Sequence, residues 1–382
     1  MIVASLNSNS YGSFKNYILV TIHYCFYSYV CYGNLLFLII RIRCILTINK
    51  LPNEYSDYEP EVTLFIVACN EKDFVDEKIK NSRELDYHAE KLHKFWVTDE
   101  SDNGTPNLIR KYEGVEVYHF DERSRKIGAM NHVMQFVKTP IVNFSDGNTN
   151  LGKESIREIV NLFSEPKVNF VSGEMRIFGK EKDAATDTGE GLYWKYKSTL
   201  KKWGTELYSV VGAAGELFSI RTELFRKVEK YTLPDDFIIY LRVAQNGYTI
   251  QYDPETYAIE MASMDVKEEL KRKIRISARG IQSVVRLVSI LNIFKYGTLL
   301  FQHISHRVLS WTLAPLSLLF LIPSGTVRVI NERILSFGFY IIPLWLQVVL
   351  FVSALLGWYL ENRSPEINTL YNTQYPEGVK FE

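Results

Sequence analysis

Three short polar clusters carry the side chains best suited to chemistry. They are Cys69-Asn70-Glu71, the run Asp99-Glu100-Ser101-Asp102-Asn103-Gly104-Thr105, and Ser145-Asp146-Gly147-Asn148. Carboxylates and carboxamides of this kind bind hydroxyls, hold hard cations and move protons. Each cluster directly follows an apolar run. Asp, Asn and Gly also favour turns, so any one cluster has a plain loop reading; three in the same relation to their strands point to one shared site.

The elements that must position them are legible as alternating strands and helices. VTLFIVA (Val62–Ala68) is a continuous β-rich apolar run, as in a strand buried on both faces. A polar, helix-permissive stretch runs from Glu71 to Ser82. Further strands are HKFWVTD (His93–Asp99), VEVYHF (Val115–Phe120) and TPIVNFSD (Thr139–Asp146). Such alternation predicts an α/β domain with a mostly parallel sheet and right-handed crossovers over residues 58–265. Ligands then bind at the carboxyl ends of the strands, where the three clusters lie. Neither GxxxxGK[ST] nor a GxGxxG after the first strand is present, which disfavours P-loop enzymes and Rossmann dehydrogenases.

Among the 382 residues, 44 basic side chains balance 44 acidic ones, so no global field directs the chain to nucleic acid. Cys25, Cys31, Cys44 and Cys69 show no zinc-like spacing and read as packing residues. Aromatics reach 14%, which fits contact with a membrane interface. The run Asn16–Ile40 holds no Asp, Glu, Lys or Arg; at about 1.5 Å per helical residue it is long enough to cross about 30 Å of hydrocarbon. Two more uncharged runs, Val308–Val327 and Ile334–Leu360, read as spans within residues 304–361. Basic residues flank the middle of the chain: Arg41, Arg43 and Lys50 on one side, Lys271, Arg272, Lys273, Arg275 and Arg279 on the other. This places the middle on the cytoplasmic side, at the plasma membrane. Residues 266–303 read as basic juxtamembrane and interfacial segments, with one interfacial helix over Ile281–Phe301. His306 and Arg307 read as interface anchors, and the polar segment 362–382 as a cytoplasmic tail.

With these residues in view, the chain resembles the family 2 glycosyltransferases of GT-A fold. The likeness is to their membrane-integrated branch, which includes cellulose, chitin and hyaluronan synthases and bacterial polysaccharide enzymes. VTLFIVACNE resembles the first-strand motif that meets the nucleotide, which implies Ala68, Asn70 and Glu71 in donor binding. VTDESDNGT resembles the uridine-contacting motif, with Asp99 as its carboxylate and Glu100 where Gly is usual. RSRKIGAMNHVM resembles the segment whose Lys and Asn hold the donor, here Lys126 and Asn131. FSDGN resembles the metal-binding Asp-x-Asp motif, which implies Asp146 and Asn148 as ligands of a divalent cation, Mg²⁺ or Mn²⁺. VVGAAGELFSIRTELF resembles the acceptor-side segment, with Gly212, Ala213 and Gly215. YTLPDDFIIYLRVAQNGYTIQYDP resembles the segment that carries the catalytic base, implying Asp236 for that role and Asp235 beside it. The two carboxylates also suit the cap of a helix from Phe237 to Asn246. KRKIRISARGIQSV falls where the processive members carry Gln-x-x-Arg-Trp; Arg275 matches the Arg, while Arg272 and Ile276 replace Gln and Trp.

The resemblance implies an inverting transferase. It would move a sugar from a nucleotide-sugar donor, a UDP-sugar, to a growing polysaccharide or glycan acceptor at the cytoplasmic membrane face. The departures at Arg272 and Ile276 leave open single-sugar transfer to a polyprenyl phosphate or glycolipid. Glu100 and Asn148 leave open a non-catalytic, donor-binding membrane subunit.

Overall fold

In the computed structural model, β1 (Val62–Ala68) explains its own uninterrupted apolar sequence. Leu64 and Ile66 face one layer of helices, and Phe65 and Val67 face the other, so every residue of the strand is buried. The structure describes residues 26–46, 58–120, 125–178, 189–212, 215–228, 235–261, 266–286 and 292–313, with isolated residues beyond; side chains at 29, 30, 125, 189–193, 235–237, 261, 266–269, 272, 273, 283 and 286 are not described. Residues Val30–Trp311 form one compact unit, and residues 1–29 with 312–382 another. The β-sheet lies wholly within the former.

After α1 (Tyr32–Leu46) come β1, α2 (Val75–Glu84), β2 (Leu92–Asp99), α3 (Thr105–Ile109), β3 (Glu116–Phe120), α4 (Arg125–Val133) and β4 (Ile141–Asp146). The short β5 (Thr149–Leu151) leads to α5 (Ser155–Phe163), β6 (Val168–Phe178), α6 (Gly189–Leu207), β7 (Leu217–Arg221), α7 (Asp235–Gln245) and β8 (Thr249–Met261). α8 (Val266–Arg286) and α9 (Ile293–His303) come next. Among the described residues one eight-stranded sheet has the order β3-β2-β1-β4-β7-β6-β8-β5.

The sheet is mixed rather than mostly parallel. β3, β2, β1 and β4 run parallel, as the alternation predicts, and β6 pairs parallel with β8. β7 enters antiparallel between β4 and β6, and β5 pairs antiparallel with β8. No periodicity within a strand reveals such long-range insertions.

α2 and α5 cover one face through Val75, Ile79, Ile156, Ile159 and Phe163. α4 and α7 cover the other through Ile127, Met130, Val133 and Ile239. α1 docks by a narrow stripe, Tyr32 and Leu36 against Leu200 and Leu207 of α6. Gly33 permits that approach, since a Cβ there would lie 2.9 Å from the Tyr196 hydroxyl.

Among the described residues no helix is long and apolar enough to cross a membrane; the runs Val308–Val327 and Ile334–Leu360 fall mostly outside those residues, as does the start of Asn16–Ile40. The stretch Ile281–Phe301, read as one helix, holds the end of α8, which stops at Arg286, and most of α9, whose start the Asn292 side chain caps by accepting from Phe294 N at 3.0 Å. Cys44 and Cys69 are exposed rather than packed, and Cys31 is half-buried; Cys25 lies outside the described residues.

Candidate active site

The C-terminal ends of the parallel strands are stitched together by Asn70. It sits just beyond β1 with φ of 57°, in the left-handed region that Asn tolerates. Its backbone N–H donates to Ser101 Oγ at 3.1 Å, and its side-chain Oδ1 accepts from Asp102 N at 3.1 Å. The loops after β1 and β2 are thereby joined, with Asp99 buried at the end of β2. Glu100, where Gly is usual, takes a φ of 48°; the conformation a Gly would supply is kept, at a strain of about 1–2 kcal/mol.

Asp146 ends β4 in register with Val67 of β1. Gly147 N donates back to Val67 O at 2.8 Å, which turns the chain sharply into β5. Glu71 comes in beside this turn. A Cβ on Gly147 would stand 2.1 Å from Glu71 Oε2 and 3.0 Å from Ala68 Cβ, so any side chain here must push the Glu71 carboxylate aside. Gly147→Ala is expected to displace the Glu71 carboxylate, costing about 1–3 kcal/mol of stability by overpacking. Thermal melts check it.

Lys126, from α4, joins the two halves of the site. Its ammonium contacts Asp146 Oδ1 and donates to Gly215 O at 2.9 Å. Asp146 of the parallel sheet and Gly215, just before β7, thus meet on one side chain. Burial and the adjacent Asp146 carboxylate push the Glu71 carboxyl up to about 8, against the pull of Lys126 and Lys78. Asn148 donates a long 3.5 Å bond to Glu260 Oε1 from β8, which adds a further carboxylate to the edge.

Among the described residues no three His, Cys, Asp or Glu side chains gather into a metal cage. An ion that takes its other ligands from a diphosphate and water needs only one or two carboxylates. The residues fit such an ion. Glu71 Oε2 is buried and accepts no hydrogen bond, and Asp146 and the Asn148 side chain stand on the same turn.

The other expected positions divide. Asn131 spends its amide on one backbone, donating to Val228 O at 2.8 Å and accepting from Val228 N at 3.1 Å. Gly212 has a φ of 124° and lies against the Arg307 guanidinium, whose Nε donates to Val211 O at 2.9 Å. Arg307 also lies over the Trp311 ring at 5.0 Å, and His306 stacks on Tyr32; both residues are built into the fold at these contacts. Arg275 is exposed on α8. Ala213 lies outside the described residues. Asp235 and Asp236 begin α7, with side chains that are not described. Two residues of the cluster escape a reading by motif, Lys78 and Glu260.

Residues 63–229 match the family model described as Glycosyl transferase family 2. That segment is similar to the family 2 glycosyltransferases. The domain's curated relatives include a beta-monoglucosyldiacylglycerol synthase of Synechocystis, 27% identical over 114 residues that make up 28% of this chain and 24% of that one. A probable glycosyltransferase of Bacillus subtilis, YdaM, is 23% identical over 241 residues, 59% of this chain and 56% of that one. The chain therefore spans about a quarter to a half of the length of these relatives. Among solved structures, the mannosyltransferase PcManGT from Pyrobaculum calidifontis, in complex with GDP-Man and Mn²⁺, superposes with a TM-score of 0.68. It is 17% identical and covers 96% of this chain and 100% of its own. The glycosyltransferase domain thus has a GT-A-like fold.

Proposed function

We propose that the chain is an inverting glycosyltransferase that takes a sugar from a nucleotide-sugar, a UDP-sugar, and delivers it to a growing glycan at the cytoplasmic face of the plasma membrane. The observation that carries this reading is Lys126, which ties Asp146 at the end of β4 to Gly215 O beside the buried Glu71 Oε2. A cation site and a cationic side chain meeting at one sheet edge suit a diphosphate leaving group.

The acceptor hydroxyl oxygen attacks the anomeric carbon from the face opposite the diphosphate. The carbon–oxygen bond to the diphosphate breaks as the new glycosidic bond forms, and Asp236 takes the hydroxyl proton. Lys126, held at the cleft by Gly215 O, and Arg275 stabilise the departing diphosphate. Asp99 orients the nucleotide base, with Asn70 fixing the loops around it. Asp146, Asn148 and Glu71 would hold a Mg²⁺ or Mn²⁺ ion, which supplies positive charge against the leaving group. Much of the rate comes from holding donor and acceptor in line.

Membrane placement rests on surfaces. α1 buries only Tyr32, Gly33 and Leu36 and exposes Leu35, Leu38, Ile42, Ile45 and Leu46. On α8, the exposed Leu270, Ile274, Ile281 and Val285 share one face, with Lys271 at its edge and Arg275 and Arg279 beyond it. Such a helix suits an anionic lipid interface.

A lipid acceptor is the second reading, favoured by the relatives named for monoglucosyldiacylglycerol synthesis and by Arg272 and Ile276 in the basic segment. The test is a donor screen on membranes carrying the chain, with Mn²⁺, following released nucleotide and labelled product. Sugar in a long glycan supports the first reading, and a single sugar on a lipid supports the second. No nucleotide release from any donor contradicts both.

A further inference from the structure

α2 carries a buried stripe of Val75, Lys78, Ile79 and Ser82, at the i, i+3, i+4, i+7 spacing of a helix face packed on a sheet. Lysine is almost never fully buried, yet Lys78 is 1% exposed. Its ammonium is not paired with a surface acid. It donates to Ser145 Oγ at 2.7 Å and to Thr149 O at 2.5 Å.

Those acceptors bracket the turn Asp146-Gly147-Asn148. Ser145 stands immediately before it and Thr149 immediately after. Within the bracket, Ser145 Oγ and Thr149 Oγ1 lie 3.3 Å apart, and Thr149 Oγ1 donates to Asp146 O at 3.0 Å. The cost of burying an amine is met at one place, the base of the turn that presents Asp146 and Asn148. A helix–sheet contact made only for packing would place an apolar side chain there.

We infer that Lys78 is a positioning residue for the sugar-transfer reaction: from beneath the sheet edge it clamps both ends of the Asp146–Asn148 turn and so sets the geometry in which the turn receives the donor diphosphate and its cation. Two donated bonds are within reach of either protonation state of the amine, so the clamp does not depend on its charge. Burial does lower Lys78, to about 7, against the attraction of Asp146 and Glu71. This inference rests on the proposed donor site.

The test uses the full chain in detergent micelles and Lys78→Met, which keeps the stem and removes the donor. Mn²⁺ affinity is measured by the loss of free-ion EPR signal, with UDP and separately with GDP. Thermal melting and the donor's KM and kcat are measured alongside. The expected result is Mn²⁺–nucleotide affinity weakened at least ~10-fold and KM raised in step; the melting temperature falls as well, because Ser145 Oγ and Thr149 O lose their buried donor. Ser145→Ala removes one acceptor and is expected to weaken the same affinity by about 3-fold; it carries the test if Lys78→Met does not fold. Wild-type affinity in Lys78→Met, or in Ser145→Ala where that carries the test, overturns the inference. So does a lowered melting temperature with unchanged KM and kcat, the signature of a purely structural lysine. If the wild-type chain binds neither nucleotide, the donor site itself is wrong and the inference falls with it. If the wild type binds and the variants match it, only the role of Lys78 falls.

Discussion

An Asp236→Asn chain is expected to bind donor with wild-type affinity and to transfer sugar about 10³-fold more slowly, within the range of about 10²–10⁴ for a lost general base. The substitution keeps size and polarity at the start of α7, where Asp235 remains beside it to serve the helix N-terminus. Helix capping and catalysis are thereby separated. If the carboxylate mattered only as a cap, Asn, an equally good cap, would leave transfer untouched. Calorimetry with donor and single-turnover transfer, run on the same preparation, check the outcome. Near-normal transfer refutes the assignment.

Removing the Asp146 carboxylate has a different signature. Asp146→Ala is expected to reduce transfer about 10²-fold or more, several kcal/mol of transition-state stabilisation, and the residual activity should no longer respond to added Mn²⁺. Lys126 loses its acid partner in this variant and keeps Gly215 O, so the cleft retains that cation. Donor affinity therefore weakens rather than vanishes. Titration of Mn²⁺ against wild type and variant decides the point: an unchanged metal response would show that Asp146 is not a ligand.

How much of the fold and site is readable in the sequence depends on how local each cause is. β1 through β4 follow from alternating apolar runs and from polar residues at their ends. The parallel order β3-β2-β1-β4 is what such units fold into. β7 between β4 and β6, and β8 beside β5, depend on pairings such as Ile141 with Arg221 and Thr149 with Glu260; no neighbouring residue encodes them. Glu260 is illegible for that reason, since its distance from Asn148 exists only once β8 has returned to the edge. Lys78 is different. Its place on the apolar stripe of α2 breaks the helical pattern, and a lysine where burial is required is a sign readable in sequence. Glu100 is half legible: the turn's need for a residue at positive φ is visible, and the structure shows that Glu accepts it. The junction between α8 and α9 is readable too, because Asn292 is a good N-cap in the middle of an apolar stretch.

The most direct measurement is the position of the cation and diphosphate, by anomalous diffraction from crystals of the full chain grown with Mn²⁺ and UDP. A manganese peak coordinated by Asp146, with the diphosphate in hydrogen-bond reach of Lys126 and the uracil beside Asp99, is the predicted result. Manganese and diphosphate bound anywhere other than the edge formed by β1, β2 and β4 would contradict it.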